Sequence, residues 1–195
     1  MLYCVNLDDA ITELFKGKLT TDPDRHSGEG IFFTSRIMDQ FSIWSDGKIF
    51  AHNNHFDTLL NARDIETLKS FEEGDGKKGS TIVMRLSNFS EKQIREVFDM
   101  YTSPDGGFTI TKIPIKNTFE NGRPVSRSQA RRLYHRFEDF EEVQLDFDGV
   151  ESMEQGFAHE LFVVFPKFHP QVKLKTINAN AEVQKMINHV LASNK

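Results

Sequence analysis

Cysteine is almost missing from this chain: Cys4 stands alone among 195 residues. One thiol closes no internal disulfide, so a packed core must hold the fold, as suits a reducing compartment. Long hydrophobic runs are lacking too, and no stretch approaches the roughly 20 apolar residues that span a bilayer. The opening Met-Leu-Tyr-Cys-Val-Asn-Leu-Asp-Asp has no positive segment leading into an apolar one, the mark of an export signal. The expectation is a cytoplasmic chain without membrane contact. A basic surplus is also absent. Net charge is −5, with 10 basic and 14 acidic side chains in residues 1–88 and 14 and 15 in the remainder. This argues against nucleic acid as a partner. No Ser/His/Asp or Cys/His arrangement suggests nucleophilic catalysis. His52 and His55 have a His-x-x-His spacing, but zinc needs three or four ligands and no third stands near, so no metal is expected.

Phenylalanine is abundant, with 18 copies, and predicts an aromatic core. Asp8 and Asp9 are suited to cap a short helix carrying Ile11, Leu14 and Phe15, which Gly17 ends. A polar loop, 18–30, precedes a helix predicted over 31–41, where Phe33, Ile37 and Phe41 repeat at four-residue steps. Residues 42–45 and 48–51 flank Asp46-Gly47, the signal of a tight hairpin. A further strand is expected at 56–60, an exposed charged loop at 64–78, and a buried strand at 80–87, rich in β-branched residues. Ser90 and Gln93 have capping-box spacing at the head of a connecting helix striped by Ile94, Val97, Phe98 and Tyr101. Residues 103–107 break it.

Beyond that break, strand and helix alternate. Strands are expected at 108–115, 143–147 and 172–177. Helices are expected at 126–140, opened by a Ser126/Gln129 box, at 156–168, with Phe157, Leu161, Val164, Phe165 and Phe168 inward, and at 181–191. Such alternation favours a largely parallel sheet with right-handed crossovers.

Two clusters of charge bear on function. Arg123, Arg127, Arg131, Arg132 and Arg136 make an acid-free run, either a surface for nucleic acid or an acidic partner or the solvated face of an amphipathic helix. Glu138, Asp139, Glu141 and Glu142 follow at once, which favours the solvated face. Asp146, Asp148, Glu151 and Glu154 gather after a parallel strand, where ligands often bind. Paired carboxylates there suit a metal or acid–base work, but an acidic loop capping the next helix, with Asp146 turned inward on a backbone group, is the plainer reading.

Gly28-Glu-Gly-Ile31 describes a loop turning sharply into a helix, where unpaired N–H groups offer a place for an anion. With Gly79-Ser-Thr-Ile-Val83 further on, residues 6–87 resemble the C-terminal half of a GHKL-type ATPase, the fold of histidine-kinase catalytic domains. The resemblance makes Gly28, Gly30 and Gly79 a vestigial phosphate-binding lid. The family's metal-binding asparagine, its glutamate base and its Asp-x-Gly-x-Gly motif are not in this sequence. The implication is a partial domain, without enzyme activity and with no cofactor of its own. ATP and Mg²⁺ enter only if another chain completes the site.

Ser126-Arg-Ser-Gln-Ala-Arg-Arg-Leu133 and Val143-Gln-Leu-Asp-Phe-Asp-Gly-Val-Glu151 resemble STAS-like domains, from about residue 107 to the end. That resemblance implies a regulatory turn ahead of a helix, comprising Asp148, Glu151, Ser152, Glu154, Gln155 and Gly156. Anti-sigma factor antagonists carry a phosphorylated serine there; here Glu154 and Gln155 precede Gly156, and Ser152 lies further upstream. The overall expectation is an α/β (α+β) chain. A partial ATPase-like sandwich (1–88) and a connecting helix and linker (89–106) precede a STAS-like domain with a mixed or largely parallel sheet (107–195). The expected partner is another protein or a second copy of the chain.

Overall fold

The structure is a computed structural model that describes residues 7–20, 22, 24–45, 48–52, 79–104, 106–119 and 122–193. The predicted strand at 56–60 and loop at 64–78, with Cys4, Asp46, Gly47 and His55, lie outside the described residues.

Helix α1 (Leu7–Lys16) ends at Gly17, whose φ of +84° closes the turn. Helix α2 (Gly30–Ile37) is shorter than predicted, because Met38 turns extended and the chain enters strand β1 (Gln40–Ser45). Phe41 is therefore a strand residue. Its spacing from Ile37 fits a helical stripe, but a single apolar residue fits either period. Strand β1 pairs antiparallel with β2 (Lys48–His52) in the predicted hairpin register, Ser45 opposite Lys48. On its other side β1 pairs antiparallel with β3 (Ser80–Arg85). The expectation of a buried strand fails here. Among the described residues strand β3 lies at the sheet edge, and Ile82 and Met84 are each 54% exposed. β-Branched composition reports fit to a pleated surface, not depth.

Helix α3 (Ile94–Asp99) buries Val97 but leaves Ile94 exposed. The Ser90/Gln93 box does not form, since the Ser90 hydroxyl donates to Asp39 instead, at 2.9 Å. Phe98 stacks on Phe33 of α2, while Tyr101 and Phe108 meet Phe32. This is the aromatic core the composition implied.

The second sheet is parallel, in the order β4 (Ile110–Pro114), β5 (Glu142–Asp146), β6 (Lys173–Ile177). Strand β4 runs directly into a single helical turn, α4 (Ile115–Thr118). Helix α5 (Arg127–Tyr134) opens with the predicted capping box, Ser126 accepting from the Gln129 N–H and Gln129 from the Ser126 N–H. It stops well before the predicted end, because Arg136 adopts a left-handed φ of +65° and a 3₁₀ turn (Phe137–Asp139) comes next. Helix α6 (Gln155–His159) continues through a π-helical turn (Glu160–Val164) into α7 (Phe165–Phe168). The wider turn shifts the stripe. Val163 is buried in place of Val164, and Phe168, expected inside, is 75% exposed. Helix α8 (Ala181–Ala192) is capped by Asn180, which accepts from the Val183 N–H.

Strands added in one direction by right-handed crossovers place their helices on one face. Accordingly α5, α6 and α8 pack together, and their apolar sides join Ile113, Val143 and Leu145 in the core. The opposite face is polar. Its rows carry Lys112, Glu142, Gln144, Lys173 and Lys175, tied by a Lys173–Glu142 pair at 2.9 Å. Helix α1 lies along the outer edge of β4, where Thr111 donates to the Lys16 carbonyl at 2.7 Å. The mixed α/β class with a parallel sheet is as expected.

Candidate functional site

The carboxyl ends of β4 and β5 open onto a turn, residues 147–154, built largely from backbone and asparagine contacts. Asp146, buried at the end of β5, accepts from Lys112 Nζ at 2.8 Å, Asn178 Nδ2 at 2.8 Å and the Asp148 N–H at 3.1 Å. Burial opposes its ionisation, but these hydrogen bonds outweigh it and hold the carboxyl below the usual aspartate range. Asp146 thus turns inward and caps a backbone group, and its donors leave it little capacity for other chemistry. Asn180 binds the turn from the other side, donating to the carbonyls of Val150 (2.9 Å) and Glu151 (3.0 Å). Val150 and Met153 are buried beneath. The Glu154 N–H donates to the Pro124 carbonyl at 3.0 Å, so the turn is joined to the loop ahead of α5.

On this frame most of the predicted turn residues face solvent. Asp148, Glu151, Ser152, Glu154 and Gln155 are exposed, while Gly156 is half-buried, with its Cβ position 3.7 Å from Arg127 Cγ. Glu154 occupies the N-cap of α6 but forms no side-chain cap. Beside Glu151 and Ser152 opens a cavity of about 310 Å³, also lined by Lys116, Gly122, Arg123 and Gly149. Lys116, Gly122 and Gly149 escaped the sequence reading. Asp148-Gly149 and Asn121-Gly122 are the signals that were there to be read, because such pairs favour positive φ, and Gly149 (+67°) and Gly122 (+60°) both adopt it.

The arginine run is mostly committed to ion pairs: Arg131 with Glu160 at 2.7 Å, Arg132 with Asp9 at 3.5 Å, and Arg136 with Glu13 at 3.0 Å. Glu160 is buried in the π turn and also accepts from Tyr134 Oη at 3.1 Å. Among the described residues no group of three or more His, Cys, Asp or Glu is placed to hold a metal, and no helix is long and apolar enough to cross a membrane.

The lid glycines have separate surroundings. Gly28, at φ +70°, passes so close to the backbone of Lys18 and Leu19 that a Cβ would sit 2.5–2.7 Å from it. Gly30 opens α2 into free space. Gly79 precedes β3, and its carbonyl accepts from the Ser45 hydroxyl at 3.3 Å.

Residues 129–184 match a family model described as a STAS-like domain of unknown function (DUF4325). Within this chain, residues 129–184 are STAS-like. The match includes most of α5, then β5, the turn after it, α6, α7, β6 and the first turn of α8, while β4 lies outside it. It does not reach residues 6–87, and no comparison supports an ATPase part there. No curated protein and no solved structure matches the chain.

Proposed function

We propose that the chain is a non-enzymatic regulatory module that binds another protein through the turn of its STAS-like domain. One observation carries this reading: the turn is pinned from both sides by Asn180 and Pro124, yet presents Asp148, Glu151, Ser152, Glu154 and Gln155 outward. A rigid frame displaying free polar groups suits recognition. Residues 107–195 form the module, and residues 1–88, joined through 89–106, its docking scaffold. Among the described residues no strand pairs with the outer side of β3, where Ile82 and Met84 are exposed, and the scaffold offers a second copy or a partner strand a place there. Photo-crosslinking from position 151 in cells tests the reading, with position 167 on the exposed end of α7 as control. A discrete adduct from 151 alone is expected. Equal or absent adducts at both positions overturn it.

The free space around Gly30 at the head of α2 favours a second reading, a nucleotide-binding unit completed by another chain. Calorimetric titration with ATP and Mg²⁺ separates the two. Micromolar binding by this chain alone defeats the non-enzymatic scaffold.

A further inference from the structure

Lys116 and Arg123 line one cavity, and neither side chain has a carboxylate or carbonyl partner among the described residues. Nearly every other cation around the STAS-like domain's strand ends and α5 is paired, including Lys112, Arg131 and Arg132. Lys116 is solvent-exposed, like Arg123 and Ser152, but its side chain runs close past two glycines. A Cβ on Gly122 would lie 3.0 Å from its Cγ, and a Cβ on Gly149 would lie 3.0 Å from its Nζ. Both glycines have positive φ, and a side chain at either position would crowd the lysine, which lines the cavity. Ser152 contributes a hydroxyl with no hydrogen bond among the described residues. The donors come from three segments, α4, the loop ahead of α5 and the turn after β5. Among the described residues no aromatic or apolar aliphatic residue lines the space, which disfavours a nucleobase or an apolar ligand.

We propose that this cavity is an oxyanion site that takes a phosphate group, held by Lys116, Arg123 and Ser152. A doubly charged tetrahedral group matches two cations and a hydroxyl that line one space from three different segments. The volume exceeds that of a bare phosphate, which leaves room for a small polar body attached to it. Glu151 lines the same space, and its negative charge opposes the anion. The proposal rests on the turn being the functional surface and adds the chemistry of its ligand.

The test is titration of the full chain at fixed ionic strength with inorganic phosphate and, separately, glycerol 3-phosphate. Backbone amide shifts at Gly122, Gly149 and Ser152 are the readout. Saturable shifts at all three are expected. Equal affinities identify the free ion as the ligand, and at least about tenfold tighter binding of the ester identifies a phosphomonoester. Lys116→Ala and Arg123→Ala should each weaken binding by about tenfold, Glu151→Gln should tighten it, and Arg127→Ala, outside the cavity, should leave it unchanged. The amide spectrum itself shows that each variant is folded. Linear, non-saturating shifts, or saturable ones indifferent to Lys116 and Arg123, overturn the proposal. Crosslinking from position 151 is scored without phosphate, so either reading can fail while the other stands.

Discussion

Arg136 and Glu13 lie 123 residues apart in sequence and 3.0 Å apart in space. The guanidinium also donates to the Lys18 carbonyl at 2.9 Å and to Asp139 at 3.0 Å, so its left-handed backbone aims all its nitrogens at partners. Glu13 holds a second cation. Lys16, whose side chain is 1% exposed, reaches Glu13 at 2.6 Å and the His135 carbonyl at 2.7 Å. Burial lowers the Lys16 pKa, and Glu13 opposes that effect. One carboxylate thus ties α1 to the end of α5.

Removing Glu13 strands a buried ammonium, whereas removing Lys16 leaves Glu13 still paired with Arg136. Glu13→Ala should therefore cost about 3 kcal/mol in urea unfolding, and Lys16→Met clearly less. The double variant should recover part of the Glu13→Ala loss. Strict additivity of the two would show that the pair is not coupled.

His52, at the end of β2, is surrounded by cations. Burial first, then Arg36, Lys92 and Lys112, push its pKa down to about 3, against a backbone hydrogen bond with Ser35 that raises it. The folded chain keeps this imidazole neutral, while the unfolded chain protonates it below about pH 6.5. Stability should be fully present above that pH and fall as pH drops towards 3, with a slope up to about 1.4 kcal/mol per pH unit. Asp146 and Glu160 also have depressed pKa values, but as carboxylates they lose stabilisation only at lower pH. Unfolding free energies at pH 7 and pH 5 therefore isolate the histidine. His52→Gln should flatten the dependence across that interval; an unchanged slope assigns it elsewhere.

The capping box of α5 gives a local counterpart. Ser126 Oγ accepts from the Gln129 N–H at 3.2 Å, and Gln129 Oε1 accepts from the N–H groups of Ser126 and Val125 at 2.8 Å each. Ser126→Ala should cost about 1 kcal/mol, and Ser126→Gly less, since glycine tolerates the N-cap. Equal losses in chemical denaturation would mean that the side-chain bond contributes nothing.

That box was legible in the sequence because its signal spans four residues. The hairpin at Ser45 and Lys48 and the alternation of β4 and β5 were legible for the same reason. Relationships set by distant partners could not be read that way. Arg36 is buried, with donors on the carbonyls of Phe32, Phe15 and Lys112 and its guanidinium 3.3 Å above the Phe32 ring. Burial lowers its pKa to about 10. Its sequence neighbours give no sign of this, because the accepting groups are backbone carbonyls, identical in every residue. The π turn was equally hidden, since one extra residue per turn leaves the apolar spacing before it intact and rotates only the residues C-terminal to it. For the cavity, Glu151 and Ser152 were named through the resemblance to STAS-like domains, whereas Lys116 was not, because it reaches that space only through α4's position beside the turn.

Gly17 marks where α1 must stop, and two demands coincide there. Its φ is +84°, which an L side chain adopts at a cost. A Cβ would also lie 2.6 Å from Phe108 Cε1 and 2.9 Å from Phe32 Cδ2, both on buried rings with little freedom to yield. Gly106, at φ +88°, makes the backbone demand alone, with no atom within 4 Å of its Cβ position. Gly106→Ala should therefore cost about 1 kcal/mol from strain. Gly17→Ala should cost about 3 kcal/mol, because overpacking adds to the strain. Thermal unfolding of the two variants compares them under identical conditions. Should both lose the same amount, the rings around Gly17 move aside freely, and the joint between α1, α2 and Phe108 is looser than its contacts imply.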